Sequence, residues 1–290
     1  MSSASGSRRV ALPDGGPLEP ALAERVLAKL GFSRAPTLDL AGLRALYGAW
    51  CQRVPFDNVR KRIHLHEALP GPLPGDEPED FFEAWLAHGT GGTCWAGNGA
   101  LQALLESQGF AARRGYGTML VRPDLPPNHG TVVVVVDGVE LLADASMLFG
   151  EPLPLFDGAR VEHPAWGVSL HRQDGKLHVA WRPFHLRFDC RLDVLETSRA
   201  EFRERHEMTR SWSPFNGMLS ARRNHDETVI GVSFGQLGAI DAAGALSLIP
   251  EPSPRERFDF LVGRLGISEE MAARLPKDEP TPLPASPPAR

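Results

Sequence analysis

Three residues that can carry nucleophilic catalysis stand at spaced positions in this chain: Cys94, His129 and Asp144. A thiolate is a strong nucleophile, an imidazole can take its proton, and a carboxylate can fix the imidazole tautomer and stabilise its charged form. Cys94 sits in "GGTCWAGNGALQALLESQGF", residues 91–110, where two glycines precede it and apolar residues at helical spacing follow. That pattern predicts a thiol on the first turn of a helix. There the helix dipole and a neighbouring imidazolium both favour the thiolate. The free amides of the same turn can receive an oxyanion, and Gly91 and Gly92 would let a substrate approach the backbone closely. Free cysteine is also a small hydrophobe that is often buried, so position alone leaves both readings open.

The histidine and the aspartate are related through a turn. Asp137-Gly138 lies between two apolar runs in "TVVVVVDGVELLAD", residues 131–144, and predicts a two-residue type I′ hairpin. Val136 then pairs with Val139, and the register carries Thr131 opposite Asp144. Opposite residues share a face, as do residues two apart on one strand. His129 therefore shares a face with Asp144 at a diagonal Cβ separation of roughly 7–8 Å, which an imidazole and a carboxylate can bridge. A single bulge would reverse this parity. Separately, His129 reads equally as a strand-end surface residue and Asp144 as the start of a turn. Together with Cys94 they stand at element ends with compatible geometry.

The elements that position these residues follow from periodicity. Helical patterns run through "LEPALAERVLAKLGF", "DLAGLRALYGAWCQRVPF" with Asp39 as N-cap, and "EPEDFFEAWLAHG" with acidic residues in its first turn and Gly89 as its stop. From Phe110 to about Arg191 the signals are those of strands, including "KLHVAWRPFHLRFD". Beyond Arg199 the pattern mixes: "RAEFRERHEMTRSW" is helical, "ETVIGVSFGQL" is strand-like, and "SPRERFDFLVGRLG" is helical with Ser253 as N-cap. Residues 1–17 read as a Ser/Gly-rich tail, and residues 276–290 as a Pro-rich tail that cannot pack a core.

Composition narrows the function class. Of 290 residues, 42% are hydrophobic and 23% charged, the balance of a soluble globular protein. The net charge of −5 offers no basic field to nucleic acid or to an anionic membrane. No apolar run approaches membrane-spanning length, and "MSSASGSRRVALPDGG" lacks the apolar core of a secretion signal. Cys51, Cys94 and Cys190 form no paired framework, which points to a reducing, cytoplasmic setting and away from a structural zinc site. Cys51 and Cys190 fall in apolar patterns and read as buried and inert. His64 and His66 share a face if "RIHLH" is an extended surface strand, but no third ligand accompanies them, so no metal site is expected. The arginines of "SARRN" read either as phosphate contacts for a coenzyme or as a solvated helix face.

These motifs resemble those of the arylamine N-acetyltransferases. The family's Arg-Gly-Gly-Tyr-Cys segment, with a following aromatic residue and an Asn, is similar to Thr90-Gly91-Gly92-Thr93-Cys94-Trp95 with Asn98. Its Pro-Phe-Glu-Asn-Leu segment is similar to Pro55-Phe56-Asp57-Asn58-Val59, and its His, hairpin and Asp to His129 and Asp144. "PLPLF", "WRPFHLRF" and, in part, "SWSPF" add to the likeness, which covers residues 19–223 well and the remainder loosely. The resemblance implies an α+β, cysteine-proteinase-like fold of three domains: a helical bundle over 18–109 with the Cys, a β-barrel over 110–198 with the His and Asp, and an α/β lid over 199–275. It implies ping-pong transfer, in which Cys94 takes an acyl group from acetyl-CoA or another acyl-CoA as a thioester and passes it to an arylamine, hydrazine or N-hydroxyarylamine. The coenzyme is then a co-substrate, with no bound cofactor. Candidate substrate-contacting residues are Phe56, Gly92, Thr93, Trp95, Gly130 and Phe215, with an aromatic acceptor pocket of Phe56, Trp95 and Phe215 weighed against plain core packing.

The chain departs from the family pattern around this set. Thr90 replaces an Arg, Thr93 a Tyr, Ala96 a Glu, and Ala145-Ser146-Met147-Leu148 a Val-Gly-Phe-Gly run. Asp57 thereby loses its expected Arg partner, and either Arg60 or Arg62 replaces it or Asp57 is solvated. The leading function is an acyl-CoA-dependent N-acyltransferase. An amide synthase that draws a longer acyl chain from an acyl carrier protein is a second reading, and a triad cysteine hydrolase a third. A non-catalytic binding protein is disfavoured by the intact Cys, His and Asp.

Overall fold

Five helices precede the first long strand: α1 (Pro20–Lys29), α2 (Leu40–Arg53), α3 (Val59–His66), α4 (Pro78–His88) and α5 (Cys94–Ser107). They come from a computed structural model, which describes residues 17–121, 126–184 and 187–282. The capping signals act as expected. The Asp39 carboxylate accepts from Gly42 N at 2.8 Å, and Gly89 ends α4 with φ +69°. Trp50, Phe81 and Phe82 fill the centre of the bundle, with Trp50 stacked on Phe81 at 5.9 Å between ring centroids. The "RIHLH" segment is the end of α3, where an extended strand was expected. Val59 and Ile63, one turn apart, both bury against the rear of the molecule, and that helical pair outweighs the alternation of the two histidines.

Eight antiparallel strands form the middle: β2 (Ala111–Met119), β3 (His129–Val136), β4 (Val139–Ala143), β5 (Leu153–Pro154), β6 (Arg160–Val161), β7 (Val168–Gln173), β8 (Lys176–Trp181) and β9 (Phe188–Thr197). Their order is β5-β4-β3-β2-β9-β8-β7-β6, and the two edge strands approach each other, so the sheet curls into a nearly closed barrel. The β3–β4 hairpin has the predicted register, Val136 opposite Val139 and Val132 opposite Ala143. Asp137 and Gly138 both have positive φ, as a type I′ turn requires. Asp174-Gly175 repeats that chemistry between β7 and β8.

A second sheet follows, built from β10 (Ala221–His225), β11 (Thr228–Ser233), β12 (Gln236–Ile240) and β13 (Leu246–Ile249). Its fifth strand, β1 (Phe56–Asp57), comes from the helical front and pairs with β10, Phe56 opposite Arg222. Helix α6 (Arg199–Met208) links barrel to sheet. Helix α7 (Pro254–Asp259), with its Ser253–Glu256 capping box, and α8 (Glu269–Ala273) cover the sheet. The arginines of "SARRN" lie on β10 and not on a solvated helix. Arg222 is buried, donates to Pro183 O at 3.0 Å and lies over the Trp181 ring, while Arg223 donates to the carbonyls of Arg264 and Leu265.

Of the two expected tails, residues 1–16 and 283–290 lie outside the described residues. The stretch Pro276–Thr281 is not loose. Asp278 pairs with Arg62 at 2.7 Å and Arg257 at 2.9 Å, and Glu279 N donates to Gly217 O. Prolines keep this stretch out of the core, but the Lys-Asp-Glu between them supplies the charges and amides that fasten it. Among the described residues no helix is long and apolar enough to cross a membrane.

Candidate active site

The loop before α5 is built by the second strand of contacts that β1 makes. Phe56 bridges Gly92 in parallel, and Asp57 N donates to Gly92 O at 3.1 Å. The two glycines serve this docking. A Cβ on Gly91 would fall 1.8 Å from Pro55 O, and one on Gly92 would fall 2.8 Å from Ala96 Cβ and 3.0 Å from Phe81. Protein, and not an approaching substrate, fills the space beside each. Asp57 completes the loop from a fully buried position. Its carboxylate accepts from Gly91 N at 2.5 Å and Val59 N at 3.0 Å. Neither substitute arginine reaches it, because Arg60 pairs with Asp80 and Arg62 with Asp278, and it is not solvated. Burial raises its pKa to about 6 against the pull of the two amides.

Cys94 opens α5 and is nearly buried. Thr93, also buried, stands at the N-cap position without a side-chain capping bond, so its hydroxyl leaves the first-turn amides free. His129 begins β3, and Asp144 follows the last residue of β4. Nε2 of the imidazole lies 2.7 Å from Oδ2 of the carboxylate. The parity read from the hairpin thus places the two side chains together.

The carboxylate is prepared for this bond by its own turn. Asp144 Oδ1 accepts from Ser146 N at 2.9 Å, Ser146 Oγ at 2.8 Å and Met147 N at 2.9 Å. Burial alone would raise its pKa, but the charge and hydrogen bond of His129, with these amides, hold it well below the ordinary carboxylate range. Burial would likewise lower His129. The charge and hydrogen bond of Asp144, and then the Cys94 thiol, outweigh it and raise His129 to about 10. With Nε2 committed to Asp144, Nδ1 remains for Cys94, whose Sγ lies 3.8 Å from the carbonyl of Asn128 just ahead of the ring. The proton therefore rests on the imidazole at neutral pH, poised between an acid partner and a thiol.

Three residues outside the expected set hold the site. Asn98, one turn beyond Cys94, donates to Gly130 O at 2.6 Å and Cys94 O at 3.0 Å, and accepts from Ala145 N at 2.9 Å. Tyr47 on α2 clasps the Asp144 backbone, donating to its carbonyl at 2.8 Å and lying 3.2 Å from its amide. Ser146 is the third. The i, i+4 spacing of Asn98 from Cys94 was a visible signal. Nothing near Tyr47 in the sequence marked it. Cys51 and Cys190 are fully buried, and burial pushes the Cys51 thiol to about 12.

The aromatic residues divide into two groups where one acceptor pocket was expected. Phe56 meets Phe215 edge-on at 5.2 Å, and Phe215 stacks on Phe234 at 5.7 Å. Trp95 packs elsewhere, edge-on to Phe202 at 4.9 Å, in a cluster with Cys94 and Tyr116. Gly130 belongs to that second group as a packing position. A Cβ there would fall 2.7 Å from Phe202 and 2.8 Å from Trp95.

A helical bundle and a barrel meeting at a Cys–His–Asp set, backed by a second sheet, is the arylamine N-acetyltransferase fold. Residues 39–177 match the family model described as N-acetyltransferase. The arylamine N-acetyltransferase of Mycolicibacterium smegmatis is 26% identical over 175 residues, which span 55% of this chain and 62% of that protein. Solved structures extend the likeness in fold. The M. smegmatis arylamine N-acetyltransferase superposes with a TM-score of 0.72 at 21% identity, covering 86% of this chain and 96% of that one. The Mycobacterium marinum enzyme in complex with CoA gives 0.74 at 19%, covering 87% and 98%. The Salmonella typhimurium enzyme gives 0.73 at 18%, covering 88% and 97%. The chain is therefore similar in sequence to the N-acetyltransferase family model over residues 39–177, and it shares the fold of the solved arylamine N-acetyltransferases over most of its length.

Proposed function

We propose that this chain is an acyl-CoA-dependent N-acyltransferase that carries the acyl group on Cys94 and delivers it to an aromatic amine. The observation that carries the reading is the 2.7 Å bond between His129 and Asp144 at the start of the helix that begins with Cys94. His129 holds the thiol proton while Cys94 attacks the acyl-CoA carbonyl. The first-turn amides of α5 receive the oxyanion. As the tetrahedral intermediate collapses, the C–S bond to the coenzyme breaks and His129 protonates the departing thiolate. The amine then attacks the Cys94 thioester, His129 takes a proton from the attacking nitrogen, and Cys94 leaves. One difficult transfer becomes two easier ones. Asp144 fixes the ring and stabilises its charge throughout. The replaced positions, Thr90, Thr93, Ala96 and Ala145–Leu148, set the acceptor surroundings apart from the family pattern and leave the Cys, His and Asp in place.

The test is intact-protein mass spectrometry after brief mixing with acetyl-CoA and no amine. A gain of one acetyl group on Cys94, discharged by an aminobenzoate, is the expected result. Labelling by a carrier-borne acyl group alone would make the protein an amide synthase. An unlabelled Cys94 that still alkylates with iodoacetamide would overturn acyl transfer from these donors and favour a hydrolase.

A further inference from the structure

A second cluster of chemistry-bearing side chains lies on the barrel, away from Cys94 in chain and strand order. The Asp174-Gly175 turn pairs Gln173 with Lys176, which sets His171 on β7 directly opposite His178 on β8. Asp189 on β9 lies opposite Ala180, and Ala180 shares a face with His178. All three side chains therefore stand on one face of three adjacent strands. The other face of the same strands sends Leu170, Leu177, Val179 and Cys190 into the main core.

We propose that His171, His178 and Asp189 form a binding site for a divalent transition-metal cation, Zn²⁺ foremost. The donor atoms converge: His171 Nε2 lies 3.2 Å from Asp189 Oδ2, His178 Nδ1 lies 3.8 Å from the same oxygen, and all three lie within 4.8 Å of one another. Nitrogen and oxygen ligands at about 2.0–2.2 Å in tetrahedral array stand roughly 3.3 Å apart, so small side-chain rotations close the set. Two imidazoles with one carboxylate suit zinc and its borderline neighbours and not calcium or magnesium, which take oxygen.

A second observation points to a ligand independently. His178 is 5% exposed, and its Nδ1 is buried without a hydrogen-bond partner. A buried ring nitrogen left unpaired in this way needs an explanation, and a cation beside Asp189 supplies one. Arg191 sits opposite His178, but its guanidinium turns to Asp193 at 2.6 Å and to Thr118 at 3.3 Å. His171 and Asp189 are partly exposed, which provides an entry path and room for water on the metal.

The test titrates Zn²⁺ into the full chain carrying Cys94→Ala, so that the thiol at the start of α5 offers no competing site. Saturable binding of one Zn²⁺ per chain, with a rise in melting temperature, is expected. His171→Ala and Asp189→Asn each weaken binding by at least ~10-fold, since each removes one of three ligands. Both residues are partly exposed, and the metal-free variants should melt where the parent does, which separates lost ligation from lost folding. Absence of saturable binding in the parent, or unchanged affinity in His171→Ala, would overturn the site.

Discussion

Asn98 Nδ2 lies 2.6 Å from the carbonyl oxygen of Gly130, so the helix that begins with Cys94 is tied, one turn later, to the residue that follows His129. The same side chain accepts from Ala145 N, the residue after Asp144. One amide thus sets the spacing of Cys94, His129 and Asp144. Asn98→Ala leaves the Ala145 amide buried and unpaired, which costs about 1–3 kcal/mol. It should lower turnover more than that loss explains. Turnover measured well below the melting temperature separates the two, and an unchanged kcat would make Asn98 a packing residue.

Cys94→Ala abolishes acyl transfer, whereas Cys51→Ala and Cys190→Ala retain it. Both other thiols are fully buried, and burial raises their pKa values, so neither supplies a thiolate. Single-turnover labelling with acetyl-CoA reads this directly. Wild-type turnover in Cys94→Ala would refute the mechanism.

The His129–Asp144 pair gives the protein a characteristic pH dependence. A free histidine loses its proton near ~6.5, but His129 in the folded chain keeps it to about 10. The stability contributed by that proton is complete below the unfolded value, declines as pH rises above it, and is gone once pH passes about 10. On the acid side, Asp144 is held below its ordinary range, so its contribution is present above ~3.9 and is lost only as pH falls further. The melting-temperature gap between wild type and Asp144→Asn should be widest between ~3.9 and ~6.5, shrink above that, and close as pH passes about 10. Turnover of Asp144→Asn should fall by orders of magnitude, since the same change costs about 10⁴ in a serine triad. A gap that does not vary with pH would deny the ion pair.

Gly130→Ala forces a Cβ to within 2.7 Å of Phe202 and 2.8 Å of Trp95. Overpacking of this kind costs about 1–3 kcal/mol. Phe202→Leu removes the nearer ring and should restore much of the loss in the double variant. Additive effects of the two changes, measured by denaturant unfolding, would mean that the strain is relieved elsewhere.

Much of this was legible in the sequence because the signals were local. Asp39, Gly89, Asp137-Gly138 and Ser253 each mark an element end through backbone chemistry that neighbours cannot easily override. The hairpin turn fixed a register, and the register brought His129 to Asp144. What was hidden depended on distant partners. The "RIHLH" stretch became helical because Val59 and Ile63 face a core assembled from residues beyond 219. Asp57 found the amide of Gly91, 34 residues on, where the sequence offered Arg60 and Arg62 nearby. Phe215 and Trp95 parted because each found another aromatic ring first. Tyr47 touches Asp144 across 97 residues, and no local pattern announces such a bond.

The two-residue strand at Phe56–Asp57 governs when the site comes into being during synthesis. Phe56 pairs with Arg222 on one side and bridges Gly92 on the other. A growing chain has already exposed Cys94, His129 and Asp144 by the time Arg222 leaves the ribosome. Until then β1 has no sheet to join, and the loop that presents Cys94 is held from one side alone. Closing so long a loop costs entropy before its contacts repay it. The Cys94 loop is therefore braced from both sides only once the rear sheet is made, and a nascent chain that halts before it carries Cys94, His129 and Asp144 without that second brace.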